Sequence, residues 1–172
     1  MNVVRAQREP ARRYAKRLKE VIEELNVEIR EALEKDLPDI LSLCSQLDNG
    51  QILDMDKAKG IYNRINLYPN YKIYFAMAGE SVVGMFALLV MENLGHLGAS
   101  SGVIEDVVVD TSWRRKGIGR QMLRFAIERC KEANCYKLTL SSNIKRKDAH
   151  SFYESLGFDI HGYSFKIEIN NI

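Results

Sequence analysis

Cysteine is scarce in this chain, and its few copies are poorly placed for cross-linking or for metal binding. The 172 residues include three cysteines, Cys44, Cys130 and Cys135, an odd number without CxxC spacing. Such a set argues against a disulfide framework and against a cysteine zinc site. The three histidines show neither HxxxH nor HExxH spacing. We therefore expect no metal, and we expect the reducing cytoplasm as the compartment.

Long apolar runs and a strong overall charge are missing as well. No apolar stretch reaches the length that spans a bilayer, and the N-terminus lacks the apolar core of a signal peptide. We therefore expect no membrane partner. Lys and Arg number 25 against 23 Asp and Glu, and 46% of the residues are hydrophobic. These values exclude a disordered class, and the length suits one domain with a real core.

The basic excess is concentrated at the N-terminus. Residues 1–20 carry seven Lys and Arg but two Glu, whereas the remainder has a net charge of −3. We interpret residues 1–26 as an amphipathic helical extension that packs on the domain at 27–172 or on a second subunit of a homodimer. The alternative is an arm for nucleic acid or membrane, which the glutamates of this helix disfavour. The shared apolar face comprises Tyr14, Leu18, Val21, Ile22 and Leu25.

Apolar periodicity predicts ten elements after the extension, in the order β-α-α-β-β-β-α-β-α-β. Asp36 and Asp54 are the predicted caps of the first two helices, and Pro38 is predicted at the first helical position. The order predicts a mixed α/β (α+β) domain. The predicted strands are 27–32, 71–77, 82–91, 103–110, 136–141 and 158–169, and the predicted helices are 37–47, 54–66, 118–133 and 145–156.

A basic, glycine-rich turn separates the apolar strand that ends near Asp110 from the helix that begins at Ile118. The unpaired N–H groups of a first helical turn point outward, and the helix dipole adds positive potential there, which suits phosphate binding. Gly117 and Gly119 would let the backbone approach such a ligand. Neither GxxxxGK[ST] nor GxGxxG is present, which excludes the two common nucleotide loops. The predicted site comprises Val107, Val108, Val109, Arg114, Arg115, Lys116, Gly117, Ile118, Gly119 and Arg120.

The pattern Arg114-x-x-Gly117-x-Gly119 after a Val-x-Val strand resembles the acyl-CoA pyrophosphate loop of the GCN5-related N-acetyltransferases. Phe152-Tyr153 followed by Gly157-Phe158 resembles the C-terminal signature of the same family. The two motifs occur in the family's order, and the resemblance covers about residues 27–169.

This resemblance implies a mostly antiparallel twisted sheet with one splayed parallel pair, flanked by helices. It also implies acetyl-CoA as co-substrate, with its pantetheine arm paired to the backbone of Val107 to Val109 and its pyrophosphate on the amides of the basic turn. Asn143 would hydrogen-bond to the arm from the other side. His150 could contact the cofactor or the substrate.

Two narrower resemblances concern the acceptor. Residues 142–153, with 162–165 after them, resemble the aminoalkylphosphonate N-acetyltransferases, in which Arg146 or its lysine neighbours would suit a phosphonate. Ile104-Glu105-Asp106 resembles the substrate strand of the glucosamine-phosphate N-acetyltransferases, although Val103 stands where a histidine usually precedes the isoleucine. Both relatives accept small amines that carry a phosphorus oxyanion, so we expect a small primary amine as acceptor.

Acetyl transfer to an amine needs a proton acceptor, because an alkylammonium has a pKa of about 10.4 and only about one amine in a few thousand is neutral at pH 7. Glu105 is the best candidate for this base, and its alternative role is to bind the substrate ammonium. Asp106, also a candidate substrate contact, should point to the opposite face of the strand unless a bulge intervenes. His96, in a loop of small residues, is a weaker candidate for an acceptor contact.

The leaving thiolate needs a proton in return. Tyrosine stays protonated at pH 7 and can donate it. The family resemblance assigns this general-acid role to Tyr153, and the alternative is a tyrosine that only packs in the core. The leading hypothesis is an acetyl-CoA-dependent N-acetyltransferase for a small amine. Two other functions remain open, acetylation of protein or peptide amines and a non-enzymatic CoA-sensing module.

Overall fold

The computed structural model describes residues 26–169, so the helix predicted within residues 1–25 lies outside the described part and stays a prediction. None of the helices between residues 26 and 169 is both long enough and apolar enough to cross a membrane. The strands are β1 (Glu28–Glu31), β2 (Tyr71–Ala78), β3 (Ser81–Met91), β4 (Ser100–Val109) and β5 (Cys135–Leu140). The helices are α1 (Leu37–Ser45), α2 (Met55–Ile65), α3 (Ile118–Glu132) and α4 (Lys147–Glu154).

The five strands form one sheet in sequence order, β1-β2-β3-β4-β5. The first four are antiparallel neighbours, and β4 pairs with β5 in parallel. The parallel pair needs a crossover connection, which α3 supplies between the two strands. The predicted mixed fold, mostly antiparallel with one parallel pair and flanked by helices, is confirmed.

Helices cover both faces of the sheet because the strand residues alternate between two apolar clusters. Phe86 of β3 faces α3, where it joins the buried Met122 and Leu123. Its neighbour Met85 faces α1 and α2 instead, where it joins the buried Phe75. The sheet is therefore buried on both faces, and β4 lies between the two helical layers.

The first helix begins in a way that the sequence did not predict. Asp36 precedes α1 but makes no capping hydrogen bond to it, and Pro38 is the second helical residue rather than the first. Instead, the carboxylate of Asp36 accepts from the guanidinium of Arg30 at 2.6 and 3.1 Å and from the backbone N–H of Leu33 at 2.8 Å. These hydrogen bonds from Arg30 lower the pKa of Asp36. The cap at Asp54 is confirmed, since its carboxylate accepts from the N–H of Lys57 at 3.0 Å.

Strand β4 starts at Ser100, three residues before the predicted start, and its Gly102 runs close to both α3 and β5. A Cβ on Gly102 would lie 2.4 Å from the Sγ of Cys130 and 2.8 Å from the Cδ1 of Leu138. Both distances are shorter than real Cβ contacts, and Cys130 is buried.

Replacing Gly102 by alanine is therefore expected to lower the free energy of unfolding by about 1–3 kcal/mol, as overpacked cores do. Urea denaturation followed by circular dichroism measures this change. Gly95→Ala is the matched control, because a Cβ at Gly95 meets nothing within 4 Å. A Gly102→Ala midpoint equal to that of the control would contradict the close approach.

The strand predicted at 158–169 is wrong. Residues 158–168 adopt no strand, and residue 169 is a single 3-10 position. The alternation of apolar and polar residues that produced the prediction is real, but no strand of the sheet pairs with this segment. A strand needs a partner for its backbone hydrogen bonds as well as a suitable side-chain pattern.

Candidate active site

A β-bulge interrupts β4 at the two acidic residues. Between the pairs Met85–Val108 and Ala87–Glu105, β3 advances by two residues and β4 by three. The additional residue lies at Asp106, whose φ is +52°. Left-handed backbone in a non-glycine residue is uncommon, and bulges recur beside active sites.

The bulge changes which residues face each helical layer. Ile104, Val107 and Val109 all pack with the cluster under α3, whereas Val108 packs with the cluster under α1 and α2. A regular strand would place residues 104 and 107 on opposite faces. The inserted residue is therefore Asp106, and it resets the alternation in the middle of β4.

The expectation that Asp106 points to the face opposite Glu105 held for a strand without a bulge, and the observed bulge removes the alternation on which it depended. The pKa of Tyr71, at the start of β2, is raised mainly by burial. The negative charges of Asp106 and Glu105 raise it further. Asp106 also feels the carboxylate of Asp48, which follows α1. The negative charges of Glu105, Asp106 and Asp48 thus influence one another and Tyr71 around this part of β4.

Both carboxyl groups hold protons more tightly than free side chains do. Partial burial raises the pKa of Glu105, and the negative charge of Asp106 raises it further. Burial and then Asp48 raise the pKa of Asp106. Desolvation penalises the charged form, so these groups are better proton acceptors than ordinary surface carboxylates. Both residues remain exposed, so a small molecule can reach them.

The two parallel strands separate just past the middle of β4. Their pairing runs from Ser100–Cys135 to Ile104–Leu140 and stops there. Among residues 26–169, no strand therefore pairs with positions 105–109 on the β5 side of β4. The N–H of Asp110 donates to the carbonyl of Val83 on β3 at 3.0 Å. Because backbone groups alternate along a strand, the N–H and C=O groups of Val109 and Val107 point into the gap between β4 and β5.

Because of this alternation, only two of the three valines that were predicted to bind the cofactor arm turn their backbone groups toward the gap. Val108 pairs with Met85, so its backbone groups face β3 and not the gap. The side chain of Arg114 donates from Nε to the carbonyl of Val109 at 3.2 Å. The groups open to a ligand in the gap are consequently the N–H and C=O of Val107 and the N–H of Val109.

A tight turn connects β4 to α3. Asp110 accepts from the N–H of Ser112 at 2.9 Å and from the Nε2 of Gln46 at 2.8 Å. Hydrogen bonds from Ser112 and Gln46 lower the pKa of Asp110. The backbone then passes through left-handed conformations at Arg115 (φ +65°) and Gly117 (φ +78°). These two reversals bring the chain into α3 directly below the end of β4.

The N-terminus of α3 is open. Gly117 is its N-cap, no side chain caps it, and its first turn carries no acidic residue. The N–H of Gln121 donates to the carbonyl of Gly117 at 3.2 Å, which leaves the N–H groups of Ile118, Gly119 and Arg120 without a carbonyl in the helix. Such a turn holds an anion through its N–H groups and the helix dipole. The pyrophosphate of CoA fits this donor set.

The basic side chains of the turn have different roles. Lys116 lies over the ring of Trp113 at 4.4 Å, which keeps its ammonium beside the turn. Arg120 donates to the Oγ of Ser155 at 3.1 Å and so ties α3 to the end of α4. A Cβ on Gly119 would lie 3.3 Å from the ring of Phe152, so the small residue also serves the packing of α3 against α4. The approach of a ligand to its backbone stays a prediction.

Tyr153 lies on α4 at the edge of the core. Its ring packs against Phe152 and Phe158, with centroids 5.5 and 6.1 Å away. Burial raises the pKa of its phenol, and the nearby charge of Arg146 lowers it by a smaller amount. The hydroxyl makes no hydrogen bond with any residue between 26 and 169. A neutral phenol with a free O–H can donate a proton.

Asn143 shapes the turn between β5 and α4. Its Oδ1 accepts from the N–H of Lys145 at 2.9 Å, and its carbonyl accepts from the N–H of Arg146 at 2.9 Å. The Nε2 of His150 lies 3.0 Å from the same carbonyl. His150 thus holds the turn, and the side-chain amide of Asn143 keeps its two donors. Beside it, the Oγ of Ser142 is buried without a hydrogen-bond partner in the described chain.

His96 does not lie with the other predicted substrate contacts. Its ring stacks on Tyr136 with the centroids 4.2 Å apart, at the start of β5. That strand end pairs with Ser100, five residues before Glu105. At about 3.3 Å per residue, the two ends are about 16 Å apart. The structure therefore separates His96 from the bulge.

Three residues of this region escaped the sequence analysis. Gln46 holds the β4–α3 turn, burial and then the charges of Asp106 and Glu105 raise the pKa of Tyr71, and Asp48 adds a third charge. Each is distant in sequence from the motifs it supports. No local pattern marks such residues, since Tyr71 is related to β4 only through Leu89 of β3, which pairs with Val103.

No group of three or more His, Cys, Asp and Glu side chains within residues 26–169 is arranged to hold a metal ion. The described cysteines, Cys44, Cys130 and Cys135, are all free thiols.

The model of the acetyltransferase (GNAT) family matches residues 27–158. The chain therefore belongs to this family and is an acyltransferase, as the two motifs predicted.

Among its relatives, the glucosamine 6-phosphate N-acetyltransferase of Trypanosoma brucei brucei is 29% identical over 154 residues, which cover 84% of this chain and 97% of the relative. The aminoalkylphosphonate N-acetyltransferase of Salmonella typhimurium is 33% identical over 131 residues, or 76% and 84% of the two chains. The crystal structure of a Trypanosoma brucei acetyltransferase superposes with a TM-score of 0.74 at 27% identity, and covers 84% of this chain and 100% of that one.

Proposed function

We propose that this chain transfers an acetyl group from acetyl-CoA to the primary amine of a small molecule, by direct attack within a ternary complex. One observation carries the proposal: the same strand, β4, holds the acidic bulge, offers unpaired backbone next to it, and ends at the open N-terminus of α3. An acceptor amine at Glu105 and a cofactor on α3 would therefore meet along one strand edge.

The attacking amine must lose a proton and the leaving thiolate must gain one, and the site has a suitable group for each transfer. Acetyl-CoA would supply a thioester whose carbonyl carbon the neutral amine attacks. Glu105 takes the proton that the amine gives up, directly or through one water, and its raised pKa favours that role. Tyr153 donates its phenolic proton to the sulfur as the carbon–sulfur bond breaks, which leaves CoA as a thiol. The proton gained at Glu105 returns to solvent, and Tyr153 is reprotonated from solvent.

The CoA contacts follow from the backbone. The N–H groups of Ile118, Gly119 and Arg120 would hold the pyrophosphate, with the charges of Arg115 and Lys116 beside them. Val107 and Val109 would pair with the pantetheine arm, and the amide of Asn143 would donate to it from the other side of the gap.

The acceptor is proposed to be a small amine, with a phosphorylated or phosphonate-bearing amine as the first candidate. The acidic bulge supplies charge for the ammonium group. Arg146, close enough to influence the pKa of Tyr153, supplies charge for a phosphorus oxyanion. Both relatives named above are called after small amines that carry such a group. We also propose a homodimer in the cytoplasm, without nucleic acid as a partner.

The test is a thiol-release assay with acetyl-CoA and four acceptors: an aminoalkylphosphonate, an amino-sugar phosphate, an uncharged alkylamine and a short peptide with a free N-terminus. We expect turnover with at least one small amine and the highest kcat/KM for an amine that carries the oxyanion. A preference for the peptide would replace the proposed substrate class. Absence of thiol release with every amine would contradict the proposed activity.

A further inference from the structure

One amide side chain joins the end of α1 to the turn after β4. Gln46 directly follows the last residue of α1, and its Nε2 donates to the carboxylate of Asp110 at 2.8 Å. Its Oε1 accepts from the backbone N–H of Thr111 at 3.2 Å. Both polar ends of the amide are thus used on two consecutive residues of the turn. Displacing Gln46 would break two hydrogen bonds, one of them to a charged group.

These hydrogen bonds act on the turn that leads to the proposed CoA site. The carboxylate of Asp110 divides its oxygens, since Oδ1 accepts from the N–H of Ser112 within the turn and Oδ2 accepts from Gln46. The turn continues through the left-handed Arg115 and Gly117 into the first amides of α3. Gln46 therefore fixes the first residues of a turn whose last residues present the proposed pyrophosphate donors.

The backbone of Gln46 belongs to the acceptor side of the site. Cys44 and Asp48 lie two residues before and after it, and the N–H of Asp48 donates to the carbonyl of Cys44 at 3.1 Å. Burial, followed by the charges of Asp106 and Asp48, raises the pKa of the Cys44 thiol to about 11. Burial and then Asp48 raise the pKa of Asp106. The end of α1 is therefore close enough to the acidic bulge for their charges to act on each other.

We propose that Gln46 is a positioning residue that couples the CoA side of the site to the acceptor side, an inference that rests on the proposed acetyl transfer. CoA bound at the start of α3 holds the turn, the turn holds the amide of Gln46, and Gln46 holds the end of α1 with Asp48 beside the bulge. Linkage makes the coupling reciprocal, so an acceptor amine at the bulge tightens CoA binding by the same factor. Gln46 acts through the residues at its two ends rather than by contact with either ligand.

Calorimetric titration with CoA tests the effect on the turn. Gln46→Glu keeps the size of the side chain but puts an oxygen where Nε2 donates to Asp110, so that two carboxylates face each other beside the charge of Arg114. At about pH 7.5 we expect the Kd for CoA to be raised about 10-fold or more by this repulsion. As pH decreases toward about 5, the pair takes up one proton and regains a donor. The Kd should then return to within about 3-fold of the wild-type value at that pH.

Two further variants separate positioning from general destabilisation. Gln51→Glu makes the same change at an exposed position of the segment after α1, and it should leave the affinity for CoA unchanged at either pH. Gln46→Ala removes both hydrogen bonds without adding a charge, so its weaker binding should not recover at low pH. Equal Kd values for Gln46→Glu and Gln51→Glu, or a loss that low pH does not reverse, would overturn the proposal. If Gln46→Glu does not fold, wild-type affinity in Gln46→Ala would overturn it equally.

Amide hydrogen exchange tests whether the effect reaches the acceptor side. The N–H groups of Leu47 and Asp48 donate to the carbonyl of Cys44 at 2.8 and 3.1 Å, so their exchange reports on the end of α1. We expect saturating CoA to slow this exchange by about 5-fold or more in the wild type and to leave it unchanged in Gln46→Ala. Equal slowing in both proteins, or none in the wild type, would contradict the coupling alone. Absence of CoA binding to the wild type would contradict the proposed function and this inference with it.

Discussion

Tyr153→Phe is expected to lower kcat for acetyl transfer by about 10²–10⁴-fold and to leave the affinity for CoA close to that of the wild type. The substitution removes only the O–H, and the ring keeps its packing against Phe152 and Phe158. The thiolate must then leave without a proton donor. Steady-state thiol release gives kcat, and calorimetry with CoA gives the affinity.

The pH profile separates an acid from a tyrosine that only packs. Burial raises the pKa of Tyr153, so its proton is retained through the ordinary tyrosine range and lost only as pH rises above it. The acid-dependent rate of the wild type should therefore be present below that pKa and fall above it, and this fall should vanish in Tyr153→Phe. Tyr136→Phe is the control, because Tyr136 stacks on His96 at the far end of β5. A folded Tyr153→Phe protein with full turnover would remove the assigned acid.

Glu105→Gln is expected to lower kcat/KM for the amine by about 10²–10⁴-fold at pH 7, where the acceptor is almost entirely an ammonium ion. The base works as a carboxylate, and its pKa is raised by burial and by Asp106. The wild-type rate should consequently fall as pH decreases through that raised pKa. The loss in the variant should shrink as pH approaches the pKa of the amine, because solvent then supplies the neutral nucleophile.

Asp106→Asn is the matched comparison, since it removes the neighbouring charge and keeps the bulge backbone. We expect a much smaller loss than for Glu105→Gln, together with a lower pKa in the acid limb of the profile, because the neighbouring charge that raises the pKa of Glu105 is gone. If Asp106→Asn loses more activity than Glu105→Gln, the base is Asp106. If neither substitution changes kcat/KM, the acidic bulge does not take part in proton transfer.

Sequence patterns predicted most of the elements because their signals are local. Alternation located β2 and β3, a capping aspartate located α2, and the basic turn located the start of α3. The two family motifs lie around the start of α3 and the end of α4, next to helices that apolar spacing also marked. Such features depend on neighbours within a few residues, which a linear reading can see.

The remainder depends on contacts between distant segments. The bulge at Asp106 is visible only when β4 is paired with β3, so the faces of Glu105 and Asp106 could not be assigned from alternation. Gln46 reaches Asp110 across 64 positions. The strand predicted at 158–169 failed for the same reason, since its alternation is present in the sequence but no strand of the described sheet pairs with it.

Calorimetric titration with CoA and with pantetheine tests the central claim most directly, because pantetheine has the same thiol arm but lacks the pyrophosphate. If the free N–H groups at the start of α3 hold that pyrophosphate, CoA should bind at least about 100-fold more tightly, as expected for several charge-assisted hydrogen bonds. Equal affinities for the two ligands, or no heat of binding with CoA in a folded sample, would contradict the account.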